Sequence, residues 1–332
     1  MTATISDVAL RAGVSIATVS RAIHLSPLVN EATRLRVEQA MAELNYAPNV
    51  VARGLVTRHT QAIGLVITSM ADPFFPPIVQ GVEQTALDHG YSVLLCTSGN
   101  DPDRELAVVR LLKEHRVDAI IVASSRIGSL YHAHMAGVTS PLVLINNEQS
   151  GSYTYSVGTD DAAGAALATT YLLEQGHRTI GYIHGPLLKQ STQDRYRGYM
   201  RTLGEHGIVP DPSLVVIGNG QADGGQKAMQ ELLQRRPRPT AVFCFNDLTA
   251  IGALRALRAA GLAAPRDVSI IGYDDIALAA YAEPPLTTIA QQTFELGRRA
   301  LLLSLDLLAG KEVSSLILPA TLVERASCAP VM

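Results

Sequence analysis

The sequence is poor in cysteine and has no hydrophobic run long enough to cross a membrane. Its three cysteines, Cys96, Cys244 and Cys328, are an odd number and lie far apart, and the first two fall inside apolar runs. This spacing indicates reduced, structural thiols and predicts a protein of a reducing cytoplasm. No apolar stretch reaches the roughly 18 residues of a membrane span, and the N-terminus lacks a signal peptide. We therefore expect neither export nor membrane anchoring.

Sequence motifs of catalysis and metal binding are also missing. There is no C-x-x-C or H-E-x-x-H spacing, no P-loop, and no G-x-S-x-G turn around a nucleophilic serine. The segment GNGQADG, which begins at Gly218, resembles a dinucleotide-binding fingerprint, but Asp223 stands in place of its third glycine. The histidines are scattered along the chain and show no ligand pattern. We expect no enzymatic activity, no cofactor and no bound metal.

The overall content of hydrophobic and charged residues is that of an ordinary globular protein. The 332 residues are 47% hydrophobic and 17% charged, which suits two or three domains with a sizeable core. The formal net charge of -3 is unevenly distributed, because residues 1–60 hold six Lys/Arg and four Asp/Glu while the rest hold 21 and 26. A basic N-terminal part on an acidic body agrees with a DNA-binding head.

The first two dozen residues predict two short helices separated by a turn at Gly13, and Asn30 precedes a third. Thr4 can cap the first helix with Asp7 as its partner, and Ser15 starts the second helix in the same way. Four side chains of the second helix form its outward face: Ile16, Ala17, Ser20 and Arg21. A helix-turn-helix with such a face fits the DNA major groove. The apolar spacing alone leaves open an ordinary helical hairpin.

The string DVALRAGVSIATVSRAI resembles the head of the LacI/GalR family of bacterial transcription regulators, whose motif is DVA-x-x-AGVS-x-x-TVSR. The similarity continues in the family's order through NYAPNVVARGL, DPFF, DRYRGY, FNDLTAIGALRAL, VSIIGYDDI and PPLTTI, so it covers essentially the whole chain. It implies a homodimeric DNA-binding regulator, usually a repressor, which binds a palindromic operator. We expect DNA contacts from seven residues of the head: Thr4, Ser15, Ile16, Ala17, Thr18, Ser20 and Arg21.

A short segment, residues 48–60, is predicted to join the head, residues 1–47, to the core, residues 61–332. It contains helix-forming residues but also two adjacent valines and Gly54, and so short a helix is marginal alone. The resemblance implies a hinge helix that orders only on DNA and, in a dimer, pushes a leucine into the minor groove. Four hinge residues are then expected to contact DNA: Asn49, Val51, Ala52 and the leucine at that position, Leu55. A plain linker is the alternative.

From residue 63 onward, apolar runs typical of buried parallel strands alternate with helical patterns. The predicted strands are residues 63–67, 92–96, 119–123, 142–145, 179–184, 215–217, 241–245 and 268–272. This α/β pattern predicts two doubly wound parallel-sheet subdomains that separate near residues 158–161. The resemblance adds a fold like that of a periplasmic sugar-binding protein, in which the chain crosses between subdomains three times. Subdomain one then covers about 61–158 and 291–320, and subdomain two about 161–288.

Polar and aromatic residues collect where the predicted strands end, and open α/β sheets bind ligands there. Forked polar groups can each hold two adjacent hydroxyls of a polyol, and an aromatic ring can cover its C–H face. Three of these residues, Arg195, Asn246 and Asp274, match positions where family members hold their effector. We expect a small effector, in the first instance a sugar, to be held by six residues: Phe74, Phe75, Asn146, Arg195, Asn246 and Asp274.

Two departures from the family pattern bear on the effector. Gly220 falls near a place where some members carry an aromatic ring, which weakens the case for a purine stacked on both faces. Asn146 stands where many members have aspartate. Each polar residue, taken singly, can instead cap a loop or form a salt bridge. The alternative function is a sugar-binding or sugar-processing protein with a helical appendage, but neither a signal peptide nor catalytic groups are found.

Overall fold

The structure is a computed structural model that describes residues 3–23, 26–46, 59–125, 127, 140–147, 155–187 and 189–331. The chain divides into two compact units, Met1–Thr60 and Gln61–Met332, which we call the head and the core. Most of the predicted hinge lies outside the described residues. This applies to all four of its predicted DNA contacts: Asn49, Val51, Ala52 and Leu55.

Within its described residues the head has three helices: α1 Ile5–Ala12, α2 Ile16–Ile23 and α3 Glu31–Glu43. Thr4 caps α1 as predicted, because its hydroxyl accepts the Asp7 N–H at 3.4 Å and the Asp7 carboxylate accepts the Thr4 N–H at 2.8 Å. Gly13 ends α1 at a φ of 65°, a left-handed conformation that glycine adopts without strain. Buried alanines and valines of all three helices form one small core.

The core alternates strands and helices along the chain. Its described strands are β1 Ala62–Ile67, β2 Ser92–Thr97, β3 Ala119–Ala123, β4 Leu142–Ile145, β5 Tyr155–Thr159, β6 Ile180–His184, β7 Val215–Ile217, β8 Ala241–Cys244, β9 Ser269–Ile271, β10 Thr288–Ala290, β11 Leu316–Leu318 and β12 Thr321–Val323. Its described α-helices are α4 Phe75–Asp88, α5 Pro102–Glu114, α6 Asp161–Glu174, α7 Gln190–Glu205, α8 Ala222–Leu232, α9 Asp247–Ala259 and α10 Thr293–Leu308.

Ten of the described strands form two parallel sheets, each covered by helices on both faces, and β10 pairs antiparallel with β12. The first sheet has the order β11-β5-β4-β3-β1-β2, with α4 and α10 on one face and α5 on the other. The second sheet has the order β7-β6-β8-β9, with α8 and α9 on one face and α6 and α7 on the other. Strands buried on both faces read as continuous apolar runs. The predicted doubly wound α/β class is therefore confirmed.

The chain crosses between the two subdomains three times, after β5, after β10 and after β11. The late helix α10 returns to subdomain one and packs on α4. Two features differ from the sequence prediction. The fifth strand, β5, was not predicted, and Gly158 lies inside it rather than in a boundary segment. The strands β10 to β12, three residues each, were also missed.

Two further features of the fold are the burial of the cysteines and the hydropathy of the helices. Cys244 and Cys328 are buried and Cys96 is half-buried. No helix in the described ranges is both long enough and apolar enough to cross a membrane.

Glycines let the paired helices of each subdomain approach closely. Gly81 of α4 and Gly297 of α10 face each other, and a Cβ added at either position would collide with a backbone carbonyl of the partner helix. Gly225 of α8 and Gly252 of α9 make the same kind of contact in subdomain two. Both helix pairs are therefore packed backbone against backbone.

We expect Gly297→Ala to lower the free energy of unfolding by about 1–3 kcal/mol, because the added methyl group forces α4 and α10 apart. The matched control is Gly204→Ala in α7, where an added Cβ meets nothing within 4 Å. That change should raise the free energy of unfolding by about 0.5–1 kcal/mol through helix propensity. Urea unfolding followed by circular dichroism measures both effects, and two changes of the same sign would contradict the packing argument.

Candidate functional site

The predicted DNA-contacting face of α2 lies at the surface of the head. Ile16 is 49% exposed, and Ala17 and Arg21 are also exposed, whereas Thr18 and Ser20 are half-buried. Val19 and Ala22 are buried on the opposite side, so packing fixes which face of the helix points outward. Among the described residues Arg21 has no ion-pair partner. Within the described head, the face therefore offers an unpaired guanidinium beside the apolar side chains of Ile16 and Ala17.

Thr4 and Ser15 are already engaged as helix caps. The Thr4 hydroxyl donates to Asp7 at 2.7 Å, and the Ser15 hydroxyl accepts the Thr18 N–H at 3.1 Å. Both residues are exposed, at helix N-termini where backbone N–H groups favour phosphate. Their structural role is visible, and their contact with DNA stays a prediction.

In the core, the structure brings all six predicted ligand-binding residues to one small cavity between the subdomains, which we call the central cavity. Its volume is about 40 Å³. The six predicted residues share it with five others: Asp72, Ser124, Lys189, Ser191 and Phe245. Most of them follow the carboxyl ends of parallel strands, and this edge of each sheet faces the cleft.

Arg195 occupies the centre of this site and is only 3% exposed. Its Nε donates to Asp161 Oδ1 at 2.8 Å, its Nη1 donates to the Phe245 carbonyl oxygen at 2.6 Å, and its Nη2 lies 3.3 Å from Asp274 Oδ1. The guanidinium also stacks on the Tyr273 ring, 3.6 Å from its centroid. One cation therefore holds two buried carboxylates and a backbone carbonyl.

A hydrogen-bond chain runs from Asp274 across the cleft. Gln291, in the segment that crosses between β10 and α10, donates to Asp274 Oδ1 at 2.7 Å. Its side-chain oxygen accepts from Asn146 Nδ2 at 2.9 Å, and Asn146 Oδ1 accepts the Thr159 N–H at 3.1 Å. Asn146 belongs to subdomain one and Asp274 to subdomain two. This series of hydrogen bonds thus connects the two subdomains through the predicted ligand-binding residues.

Burial governs the electrostatics of the site. It raises the pKa of Asp274 to about 7, against the opposing effect of Arg195. Burial also raises the pKa of Asp161, again opposed by Arg195. Burial alone would lower the pKa of the Arg195 guanidinium, but the charges of Asp161 and Asp274 raise it overall. The arginine therefore stays charged and contacts both carboxylates at once.

Asn246 has a structural role, which the sequence analysis considered as the alternative to ligand binding. Its Oδ1 caps α9 by accepting the Thr249 N–H at 2.9 Å and the Thr249 hydroxyl at 2.6 Å, and its Nδ2 donates to the Gly220 carbonyl at 3.0 Å. Phe74 and Phe75 form an edge-to-face pair at the start of α4. Both rings belong to the apolar core and line the cavity, but Phe74 is 8% exposed and Phe75 only 1%, so Phe74 is the better placed ring for a ligand.

Strained backbone accompanies these residues. Ser124, Asn146, Asp274 and Asp275 all have positive φ angles, of 54°, 54°, 106° and 53°. Such conformations are costly outside glycine and cluster at ligand-binding sites. In each case the strain turns the chain sharply after a strand and aims polar groups at the cleft.

Several site residues were not predicted from the sequence. Ser124 and Phe245 each follow the end of a strand, as Asn146 does. The search for polar and aromatic residues at strand ends could therefore have found them. Lys189 and Ser191 come from the start of α7, where no strand end marks them. Gln291 directly follows β10, a strand that was not predicted from the sequence. In the described part of the chain, no group of three or more His, Cys, Asp or Glu residues could hold a metal ion.

Two family models match the sequence. Residues 4–49 match bacterial regulatory proteins of the lacI family, and residues 169–328 match the periplasmic binding protein-like domain. The chain is 39% identical over 313 residues to the HTH-type transcriptional repressor CytR of Escherichia coli (strain K12), with 94% of this chain and 92% of that protein covered. It is 37% identical over 310 residues to the HTH-type transcriptional repressor PurR of Aliivibrio salmonicida (strain LFI1238), with 93% of each covered. The chain belongs to the lacI family.

Solved structures resemble this lacI-family member over both head and core. The lac repressor dimer bound to operator and the anti-inducer ONPF has a TM-score of 0.89 at 31% identity, covering 99% of this chain and 100% of that one. The transcriptional regulator CelR in complex with cellobiose has a TM-score of 0.74 at 34% identity, covering 98% and 99%.

This lacI-family protein is a DNA-binding transcriptional repressor with a ligand-binding core, as the sequence predicted. The relatives are repressors rather than enzymes. The alternative of a sugar-binding or sugar-processing protein with a helical appendage loses its support, because the similarity to repressors includes the head.

Proposed function

We propose that the protein is a homodimeric repressor whose affinity for a palindromic operator is controlled by a sugar bound in the core cleft. The observation that carries this proposal is the continuous polar path from Asn146 through Gln291 and Asp274 to Arg195. It places forked hydrogen-bonding groups of both subdomains around one cavity.

The chemistry of the lining favours a polyhydroxylated ring. Carboxylate and amide oxygens accept hydroxyl protons, the guanidinium donates, and Phe74 and Phe245 offer aromatic faces to C–H groups. Two similar proteins were solved with sugars, CelR with cellobiose and a LacI-family regulator of Enterococcus faecium with ribose. A pentose, hexose or glycoside is therefore proposed ahead of a purine.

Control of DNA binding requires that the ligand bind the open and closed cleft with different affinity. A ligand touching Asn146 in one subdomain and Asp274 in the other is fully bound only when the cleft is closed. Closure rotates subdomain one, from whose first strand the chain leads back to the head. A coupling of about 1–3 kcal/mol between effector and operator is typical of such systems.

A thermal-shift screen of sugars, nucleosides and nucleobases, followed by operator titration with each hit, tests the effector class. We expect a sugar to raise the melting temperature and to change operator affinity. If only nucleobases, nucleosides or amino acids stabilised the protein, the sugar proposal would fail while the repressor assignment stands.

Arg21→Ala is expected to relax base choice at one operator position, with a loss of about 1–3 kcal/mol there. The reason is that an exposed guanidinium on α2 can donate two hydrogen bonds to guanine, whereas Ile16 and Ala17 offer only apolar contact to thymine methyl groups. Selection of bound sequences from random duplexes measures base preference position by position.

The matched control for this change is Arg36→Ala, an exposed arginine on α3. It should leave base preference unchanged. Equal weakening of operator and random DNA by Arg21→Ala would identify Arg21 as a phosphate contact and contradict the assignment of base reading.

The proposed dimer has a candidate contact surface at β2. This strand lies at the edge of the first sheet and exposes Leu94 at 39% and Leu95 at 37%. An exposed apolar edge strand invites pairing with another chain unless it is covered, and the similar lac repressor structure is a dimer. We therefore propose that a second copy of the chain covers β2.

We expect Leu95→Glu to raise the dimer dissociation constant by roughly 10- to 100-fold, since each dimer would bury two carboxylates in an apolar contact. Val209→Glu is the control, because Val209 is 88% exposed and lies between α7 and β7, outside the described strands. Sedimentation over a range of concentrations measures both variants. Unchanged self-association of Leu95→Glu would place the dimer contact elsewhere.

A further inference from the structure

Gln291 lies between the two subdomains, and its side chain joins them. Only 6% of the residue is exposed, and its backbone carbonyl accepts the Thr293 N–H at 2.9 Å at the start of α10. Its side-chain nitrogen donates to Asp274 of subdomain two at 2.7 Å, and its side-chain oxygen accepts from Asn146 of subdomain one at 2.9 Å. We call this pair of hydrogen bonds the Gln291 bridge. It uses both hydrogen-bonding ends of one amide.

The backbone fixes the direction of the bridge. Asn146 Oδ1 accepts the Thr159 N–H at 3.1 Å, so Asn146 Nδ2 points toward the Gln291 oxygen. The Gln291 nitrogen then faces Asp274 Oδ1, which accepts its hydrogen bond. An ionised aspartate, which many family members have in place of Asn146, has no proton to donate to Gln291. The bridge therefore depends on a residue at which this chain departs from the family pattern.

The Gln291 bridge closes the space that an effector needs. The central cavity beside it measures about 40 Å³, which is room for a few water molecules at most and not for a sugar ring. The facing groups of Asn146 and Asp274 are already paired with Gln291. A ligand that reaches both residues must therefore part the subdomains and break two hydrogen bonds.

We propose that Gln291 is an internal competitor of the effector, which binds by displacing the Gln291 amide from Asn146 and Asp274. The inference rests on the proposed control by a ligand in the core cleft and adds what that ligand has to do. It has to replace the amide, so it needs an acceptor for Asn146 and a donor for Asp274. A ligand with hydroxyl groups provides both. The bridge lowers the apparent affinity for effector, because only molecules with an open cleft bind it.

Removal of the amide distinguishes a competitor from an ordinary contact residue. Loss of a contact residue weakens effector binding, whereas loss of a competitor strengthens it by raising the fraction of open molecules. Gln291→Met is the informative change, because methionine keeps the length and much of the volume of glutamine but makes neither hydrogen bond. A gain in affinity then comes from the broken bridge rather than from new space.

The matched control is Gln292→Met. Gln292 is the next residue along the chain, is exposed, and does not line the central cavity. Its amide donates to the Pro319 carbonyl oxygen at 3.3 Å. The same substitution is thus made at two neighbouring glutamines, of which only one bridges the cleft.

The first test is isothermal titration of wild type, Gln291→Met and Gln292→Met with ribose, glucose, cellobiose and adenosine. The sugar that binds wild type most tightly should bind Gln291→Met about 3- to 10-fold more tightly still, the usual value of one hydrogen bond. Gln292→Met should bind it as wild type does. Weaker binding by Gln291→Met would make Gln291 an ordinary contact, and equal binding would remove it from the site, so either result overturns the inference.

Hydrogen exchange tests the bridge without any ligand. Loss of the Gln291 amide frees Asn146, whose oxygen holds the Thr159 N–H. The Thr159 amide should therefore exchange at least about 3-fold faster in Gln291→Met than in Gln292→Met, as measured by nuclear magnetic resonance, with circular dichroism confirming that both variants are folded. Equal exchange rates overturn the bridge.

The two tests separate this inference from the sugar proposal. If adenosine alone binds, and binds Gln291→Met more tightly than wild type, the competitor role stands and sugar control fails. If a sugar binds but Gln291→Met weakens it, sugar control stands and the competitor role fails. If none of the four compounds binds any of the three proteins, sugar control fails and the exchange rate of Thr159 alone decides the role of Gln291.

Discussion

Arg195→Met is expected to lower the free energy of unfolding by about 3–5 kcal/mol, the usual cost of removing one partner of a buried ion pair. The methionine fills much of the same space but leaves Asp161 and Asp274 buried without a cation. It also leaves the Phe245 carbonyl without the donor that now lies 2.6 Å away. Urea unfolding at neutral pH, followed by circular dichroism, measures the loss.

Arg197→Met is the matched control for this change, on the same helix. The Arg197 side chain is 65% exposed and pairs with Asp194 at 2.9 Å, and exposed pairs contribute little, up to about 1 kcal/mol. Similar losses in the two variants would contradict the view that Arg195 is the structural centre of the cleft. An Arg195 variant therefore reports on folding first and on effector binding only second.

Asp274→Asn is expected to abolish the response to effector while leaving unliganded operator binding nearly unchanged. Asparagine keeps the volume of the side chain and one acceptor for Gln291. It lacks the charge that meets Arg195 at 3.3 Å and that favours a hydroxyl-bearing ligand. The loss should amount to the whole coupling free energy, about 1–3 kcal/mol. Operator titrations with and without the effector measure it, and a variant that responded fully would remove Asp274 from the site.

The same substitution should change how stability depends on pH. Burial raises the pKa of Asp274 from 3.8 to about 7, so the folded protein binds this proton more tightly than the unfolded chain does. The resulting stabilisation is fully present below pH 3.8 and is lost as the pH rises to about 7. We expect the free energy of unfolding of wild type, relative to Asp274→Asn, to fall across this range and to level off above it. A rise in this free energy of unfolding across the same range would contradict the view that burial raises the pKa of Asp274.

The sequence by itself determined the local structure of this protein. Thr4, Ser15 and Gly13 begin and end the helices of the head as predicted, because capping depends on residues within one turn of each other. The long apolar runs became buried parallel strands, because a strand covered on both faces must be apolar throughout. The motif string identified the family, and with it the three crossings that no local pattern reveals.

Only the tertiary structure decided which hydrogen-bond and ion-pair partners the site residues have. The sequence placed Arg195, Asn246 and Asp274 near strand ends, but it did not show that Asn246 caps α9 or that Arg195 is shared between Asp161 and Asp274. Partners such as Gln291 lie far away along the chain and meet the site only because the crossing segments bring them there. Hydrogen bonds between distant residues depend on the register and packing of whole subdomains. Neither can be inferred from local sequence patterns.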